Sequence, residues 1–489
     1  MSRRVAALHA ACFAAAALGC QRRSPASLPS LPVASAPAPP PTRAPTGAFL
    51  VAIETPRRTY LTFVRTAAIQ SWDPRRDGWP ALAVWERATE VRALRHLAFE
   101  PGQKLEPAQI VELLPALKAA PTTLDITAPP YAARKSPWDA SAVIQAALND
   151  AGRRAGSEHP VDVVVPGGTY DHRAVLHVPA DVRLRGEGGV LRATNAKTSA
   201  VHLAGDRSAV LFLTLEAQAS ERLAVPDSDG IWVGPRTVAE PVVHDTLVIG
   251  NSIIGPAGAH VFGMAEDGGL WAFNEARDGY ADAFHHTGGS RYCQVVANRA
   301  SGPGSRGDDL YAFIGYHGDG DPVHHCDCLA NWGRDGFGRG LAAVGAGYID
   351  FEDNDIVGTK WAGVYIAQES SYDTYGSFSV TVRRNHIVAA NRGGTHDGLL
   401  AFAALPQTSA PSRSFGEVSN RVVDLTVSGN TFADTAKGDG GGSGIRVRNG
   451  CARGQIEGNK IIGGSTPGIV VSGERFELSA NVIEDAAVH

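Results

Sequence analysis

The chain has no large excess of either charge. Its 489 residues hold 45 lysines and arginines against 50 aspartates and glutamates, a formal net charge of −5. A nucleic-acid binder carries a basic field, so that class is set aside. Cysteine is scarce, at 6 residues. Cys12 falls in a leader segment, and no spacing fixes a pairing among Cys293, Cys326, Cys328 and Cys451, although an exported chain can form disulfides. Aromatics are a modest 7%. The apolar run Val5 to Leu18 is too short to be an ordinary membrane span. Helical periodicity is missing from the whole stretch Asn251 to Glu369.

What that stretch does hold is asparagine at a nearly fixed interval. Asn251, Asn274, Asn298, Asn331 and Asn354 are separated by 23, 24, 33 and 23 residues. Asn385, Asn430, Asn459 and Asn481 continue the series less evenly. Short β-prone runs flank each one, such as TLVIGNSII, VTVRRNHIV and QIEGNKII. A period in the low twenties without helices is the pattern of a coiled β-solenoid. Asparagine suits the turn because it tolerates a left-handed backbone. Stacked coils then bring the side-chain amides into a ladder along the axis. The 55 glycines fit the same tight turns.

Register locates a candidate site. Residues about eight to eleven positions after each Asn fall in one column, with coils about 4.8 Å apart. That column collects His260, Asp282, Asp308, Asp309, Arg339 and Tyr365, with Glu369 four residues further on. His285 and His286 follow Asp282. Counting by two from Asp282 puts His286 on the outer face as a sugar ligand or proton shuttle and turns His285 inward. The bland alternatives are a polar turn at Asp308-Asp309 and a salt bridge from Arg339 to that pair. Trp271, Trp332 and Trp361 are candidates to stack on sugars or, more commonly in solenoids, to pack turns. His324-His325-Cys326-Asp327-Cys328 lacks the spacing of a zinc site and reads as a buried strand with inward thiols.

The N-terminus reads as an export signal over residues 1–19, with Arg3 and Arg4 before the apolar run. Ala17-Leu18-Gly19-Cys20 resembles a bacterial lipoprotein cleavage box, with its leucine one position late. The resemblance implies lipidation of Cys20, and Gln21 rather than aspartate implies sorting to the outer membrane. A plain secretory signal is the alternative. Residues 20–46 are a Pro/Ala/Ser tether unable to bury a core. Residues 47–130 are an extension of unassigned role, with strands at GAFLVAIE and YLTFVRTAAI and a helix at LEPAQIVELLPALKAA.

Residues 131–489 form the solenoid. A helix capped by Asp139, carrying Ile144-Gln145, precedes the strand Val165-Pro166-Gly167-Gly168-Thr169-Tyr170. This opening resembles the pectate-lyase superfamily of right-handed parallel β-helices. The implied fold is all-β: a single-stranded right-handed parallel β-helix with an N-terminal capping helix over its apolar end. The middle of the chain resembles the polygalacturonase-type branch. That branch carries Asn-Thr-Asp, Gly-Asp-Asp, Gly-His-Gly and Arg-Ile-Lys on successive coils. Here the counterparts are Tyr280-Ala281-Asp282, Gly307-Asp308-Asp309, Gly338-Arg339-Gly340 and Tyr365-Ile366-Ala367. The three aspartates match. The histidine is replaced by Arg339, and the Arg-x-Lys clamp for a galacturonate carboxylate is lost.

The resemblance implies a polysaccharide-degrading glycoside hydrolase with Asp308 as acid and Asp282 and Asp309 positioning water. An inverting pair stands about 6.5–9.5 Å apart. His260, His286, Tyr365 and Glu369 are the expected substrate ligands. Two alternatives stand beside it: a polysaccharide lyase with Arg339 as base, and a non-catalytic glycan-binding β-helix. No cofactor is required. Calcium is the one the resemblance allows, since lyases of this fold use it against uronate carboxylates, but no calcium loop is recognisable. The expected partner is a polysaccharide, met by a monomer in the bacterial cell envelope that touches the membrane only through its lipid.

Overall fold

The structure is a computed structural model that describes residues 48–55, 58–65, 97–99, 102, 104–114, 117–225, 227–404, 408–435, 442–463 and 468–484. The signal, the lipidation candidate Cys20 and the tether lie outside the described residues. So does much of the 47–130 extension, whose described backbone includes a three-stranded antiparallel sheet of Ala48–Thr55, Arg58–Arg65 and Leu97–Phe99. Both strands expected there are present.

From Thr122 onward the chain winds as a right-handed parallel β-helix. Thr122–Asp125 already pairs in parallel with Val161–Val164. The solenoid therefore begins earlier than residue 131, because TTLD supplies a strand that the sequence pattern did not reveal. Each middle coil contributes three short strands, as in Leu247–Ile249, Ser252–Ile254 and Val261–Met264. Three parallel ladders result, one per side of the coil.

Inward side chains stack in files. Val248, Trp271, Val295, Cys328, Phe351, Val382, Val427 and Ile456 occupy one register position on successive coils. All are buried in one continuous core. Parallel strands buried on the inner face need such apolar files because each coil covers its neighbours.

The helix Ser141–Arg154 closes the N-terminal end. Its buried face is Ile144, Ala147, Leu148 and Ala151. The N-cap is Ala140, not the expected Asp139, which instead accepts from the Ser141 backbone N–H at 3.0 Å in the turn that leads into the helix. Gln145 locks the cap to the first coil: its Oε1 accepts from His177 N at 2.8 Å, and its Nε2 donates to His177 O at 3.0 Å. A second, shorter helix, Pro107–Leu113, lies outside the solenoid. It stops before Pro115, which forbids the helical conformation in the residue ahead of it. Leu105, Ile110 and Leu117 pack on Phe212, Ile249 and Leu270, covering the flank of the first ladder.

The asparagines occupy the corner between the first and second ladders. Every one from Asn251 to Asn459 donates through Nδ2 to Oδ1 of the next, at 2.8–3.1 Å. The same Oδ1 also accepts the backbone N–H of the preceding Asn, at 2.8–3.1 Å. The expected ladder is present, but its backbone reason differs. The left-handed residue is the one before each Asn: Gly250, Phe273, Ala297, Ala330, Asp353, Arg384, Gly429, Gly458 and Ala480. Six of these nine are not glycine, with φ between 53° and 58°. A non-glycine residue there costs on the order of 1–3 kcal/mol. The two or more hydrogen bonds per coil made by the buried amides offset that cost.

Asn331→Ala should therefore lower unfolding stability by about 2–4 kcal/mol, because it strands the buried Asn298 amide and backbone N–H. Asn481→Ala, at the partly exposed end of the ladder, should cost less. Denaturant titrations of the two variants check the ranking.

Candidate active site

The third ladder is entered through a turn, and the residue two places before each strand faces outward over the next coil. In chain order these residues are Asp229, Ala259, Asp282, Asp309, Arg339, Ala362, Asp397 and Ser443. An aspartate here accepts the backbone N–H of the residue at the same position one coil on. Asp229 accepts from Ala259 at 2.5 Å, Asp282 from Asp309 at 2.8 Å, Asp309 from Arg339 at 2.8 Å, and Asp397 from Ser443 at 2.9 Å. Two of the three candidate acids thus have a duty in winding.

Asp308 has no such duty. It sits one residue earlier, and its carboxylate accepts from Arg222 Nη1 at 2.9 Å. Among the three acids its side chain is the most exposed, at 18% against 13% for Asp282 and 4% for Asp309. One oxygen from each of Asp282, Asp308 and Asp309 lies within 4.8 Å of the others. Carboxyl groups this close resemble the ~5–5.5 Å pair of a retaining glycosidase more than the ~6.5–9.5 Å of an inverting one. The wider separation expected from sequence for an inverting pair is not what these nearest oxygens suggest, since Asp282 and Asp309 occupy one register position on adjacent coils.

Their protonation tendencies diverge. Burial pushes Asp308 up, and the neighbouring Asp282 charge adds to it, against the pull of Arg222. Burial drives Asp309 up to about 7 in spite of Arg339. Burial also opposes ionisation of Asp282, but the His285 hydrogen bond and charge, together with Arg222, bring it net below an ordinary aspartate. His285 Nδ1 lies 2.7 Å from Asp282 Oδ2, and its Nε2 is buried without a hydrogen-bond partner.

The far wall is built by Arg339. Its guanidinium contacts Asp309 Oδ2 at 3.2 Å and Glu369 Oε1 at 2.9 Å, and lies 4.1 Å over the Tyr365 ring. Tyr365 donates to the same Glu369 oxygen at 2.6 Å. Burial works against the Arg339 charge, but Asp309 and Glu369 outweigh it and hold its proton more firmly than usual. The sequence register thus brings together Asp282, Asp308, Asp309, Arg339, Tyr365 and Glu369. It also placed the bland reading of Arg339 correctly: the salt bridge exists. Trp361 stands 5.3 Å from the Arg339 guanidinium. Trp271 is fully buried in the core, and Trp332 is held by Arg299 and Arg334 on the second ladder.

His260 and His286 do not join the site. His260 lies one position later in register than Asp282, and it is buried. Its Nε2 is 3.0 Å from Arg277 O and its Nδ1 3.3 Å from Asp282 O. His286 faces the interior, stacked between Trp271 at 3.7 Å and Phe313 at 5.5 Å. Alternation starts at Phe284, the first strand residue, not at Asp282 in the turn before it. The count by two was therefore out of phase, and His285 is the outward histidine. Arg222 was missed because it sits in a long loop whose place no register fixes.

A cavity opens beside Asp282, lined by Arg222, Val225, Asp229, Trp232 and Phe262 among others. Trp232 and Phe262 form its aromatic side, 4.7 Å apart, and His285 stacks on Phe262 at 5.0 Å. The three acids offer oxygen to a hard cation such as calcium, but Arg222 and Arg339 already supply positive charge there.

No protein-family model matches the chain, and no curated protein matches it. Solved structures do. An exopolygalacturonase from Thermotoga maritima is similar over 78% of this chain and 96% of its own, at 11% identity and a TM-score of 0.54. DFA-IIIase from Arthrobacter chlorophenolicus A6 is similar over 73% and 94%, at 14% identity and 0.49. The A-module of mannuronan C-5 epimerase AlgE6 from Azotobacter vinelandii is similar over 74% and 99%, at 16% identity and 0.46. The chain has the fold of the pectate-lyase-like right-handed β-helix proteins.

Native Asp309 holds a proton up to about pH 7, whereas an unfolded aspartate releases it near pH 3.9. Its folded pKa is raised, so the native state binds more protons across that window and stability should fall as pH rises through it. Asp309→Asn should flatten the slope in denaturation midpoints measured at a series of pH values.

Proposed function

We propose that this chain is a carbohydrate-active enzyme that cleaves glycosidic bonds of a polysaccharide by hydrolysis. The observation that carries the reading is a pair of adjacent carboxyls pushed in opposite directions, Asp308 up and Asp282 down, beside an aromatic-sided cavity. Such a split supplies a proton donor and an ionised partner at one pH. Asp308 is the acid that protonates the leaving oxygen. Asp282, held ionised by His285, attacks the anomeric carbon, and the Asp308 carboxylate left after proton donation then takes a proton from the water that displaces Asp282. Asp309 and Arg339 position that pair, and Tyr365 and Glu369 hold Arg339. The aromatic side of the cavity suits the apolar face of a sugar ring. The like-folded exopolygalacturonase supports only the scaffold, so the assignment rests on the site.

The proposal includes export and anchoring of a monomer at the outer membrane through Cys20, on the strength of the sequence box alone. Among the described residues no helix is long and apolar enough to cross a membrane. No calcium is needed, because two guanidinium groups balance the acids. A lyase reading is disfavoured because Glu369, 2.9 Å from the Arg339 guanidinium, helps hold it protonated and so makes it a poor base.

One observation favours a second reading, a glycan-binding protein without turnover. The clamp made by Asp282 and Asp309 recurs at Asp229 and Asp397, so it is a winding device in its own right.

A panel of neutral and acidic polysaccharides, assayed for new reducing ends, decides between them. Asp308→Asn should abolish release while changing stability by about 1 kcal/mol or less, since asparagine mimics the protonated acid and the Arg222 pair is partly exposed. Proton NMR of the first product should show retained anomeric configuration. Full turnover by Asp308→Asn would sink the assignment of Asp308 as the acid, and binding without any release by the wild type would sink the enzyme reading and establish the second one.

A further inference from the structure

A second cluster of reactive side chains lies inside the solenoid, away from the outer groove. Glu266, His286 and Cys293 come from consecutive coils and are each fully buried. One donor atom from each lies within 4.8 Å of the other two. His286 Nδ1 stands 3.5 Å from Glu266 Oε2, too far for a good hydrogen bond. Glu266 Oε2 and both His286 nitrogens have no hydrogen-bond partner. The Cys293 thiol rests against that of Cys326 on the next coil.

Buried polar atoms are almost always paired, and leaving one unpaired costs about 1–3 kcal/mol. Glu266 Oε2 and His286 Nδ1, unpaired and facing each other, therefore need an explanation. The surroundings are shaped to make room for them. A Cβ on Gly269 would fall on the Glu266 carboxylate, and a Cβ on Gly263 would come within 2.9 Å of His286 Nδ1. The two missing side chains leave the space that the carboxylate and imidazole occupy. Trp271 and Phe313 sandwich the His286 ring and fix its plane. Thr246 donates to the other Glu266 oxygen and orients the carboxylate.

We propose that this cluster is a metal site for one borderline divalent cation, zinc above all, bound by the three protein donors Glu266 Oε2, His286 Nδ1 and Cys293 Sγ, with the fourth position open. The mixed oxygen, nitrogen and sulfur set excludes calcium and magnesium, which take oxygen alone, and suits tetrahedral zinc. Donors around such an ion lie roughly 3.3–3.8 Å apart, so the side chains need to close by about 1 Å. The charges balance: a dication with one carboxylate and one thiolate is neutral, which is what a low-dielectric interior requires. Binding releases the Cys293 thiol proton, and any proton on Glu266, to solvent. The ion would tie neighbouring coils together from inside the solenoid.

The test uses the full chain, produced without an oligohistidine tag in zinc-containing medium. Elemental analysis should find about one equivalent of zinc per chain. Unfolding with chelator and refolding without metal should lower the melting temperature. Refolding with cobalt should give the absorption bands of a tetrahedral thiolate–cobalt centre. Glu266→Gln and Cys293→Ser should lower metal content about tenfold or more, while Asp308→Asn and Cys451→Ser keep it, which separates this site from the outer acids. If either interior variant fails to fold, the wild-type cobalt spectrum still decides. Wild-type protein that takes up neither zinc nor cobalt on refolding, and melts at the same temperature with or without them, would overturn the site. The cluster would then be a protonated Glu266 sharing its proton with His286.

Discussion

The asparagine ladder is the interaction on which the rest depends. Each amide meets three demands at once. Its oxygen takes the backbone N–H and the amide of the coil before it, and its nitrogen returns a bond to a backbone carbonyl, as Asn274 does to Val248 O at 2.7 Å. No other side chain of that size both donates and accepts in this way. The ladder also steadies the left-handed residue ahead of it. Phe273, Ala297 and Arg384 adopt a backbone that an isolated chain would avoid. Because every rung is completed by its neighbour, winding is cooperative, and one coil alone would satisfy neither its amide nor its strands.

Regular winding is also what assembles the outer groove. Asp282, Asp308 and Arg339 are more than a turn of chain apart, yet stacking sets their spacing as firmly as any local motif. Crowding then follows from geometry. Carboxyls one coil apart cannot all ionise cheaply, so burial and mutual repulsion separate their proton affinities. The two arginines limit this repulsion without removing it. Arg222 comes from a loop and Arg339 from the wall, so the acids are held between a variable partner and a fixed one.

Much of the fold was legible in the sequence because the signal is periodic. The asparagine interval, the Ile144-Gln145 cap and the strand at Val165–Tyr170 each correspond to an element in place. Most of the site was legible for the same reason. The failures are informative. His260 and His286 were misplaced by one residue of phase, since a turn resets the alternation that a strand obeys. Thr122–Asp125 was overlooked because four residues carry too little pattern. Arg222 could not be found at all: loops between coils vary in length and leave no register to count from. The Glu266 cluster was hidden differently, because its members come from different ladders and meet only inside the coil.

The intervals between rungs carry a last consequence. Asn385 and Asn430 are 45 residues apart and Asn251 and Asn274 only 23, yet both pairs bond at 3.0 Å. Extra length is taken up wholly outside the wound scaffold. Loops between coils can therefore lengthen while the stacked coils keep their register. Loop length and winding are separable traits here, open to change one at a time by evolution or by an engineer.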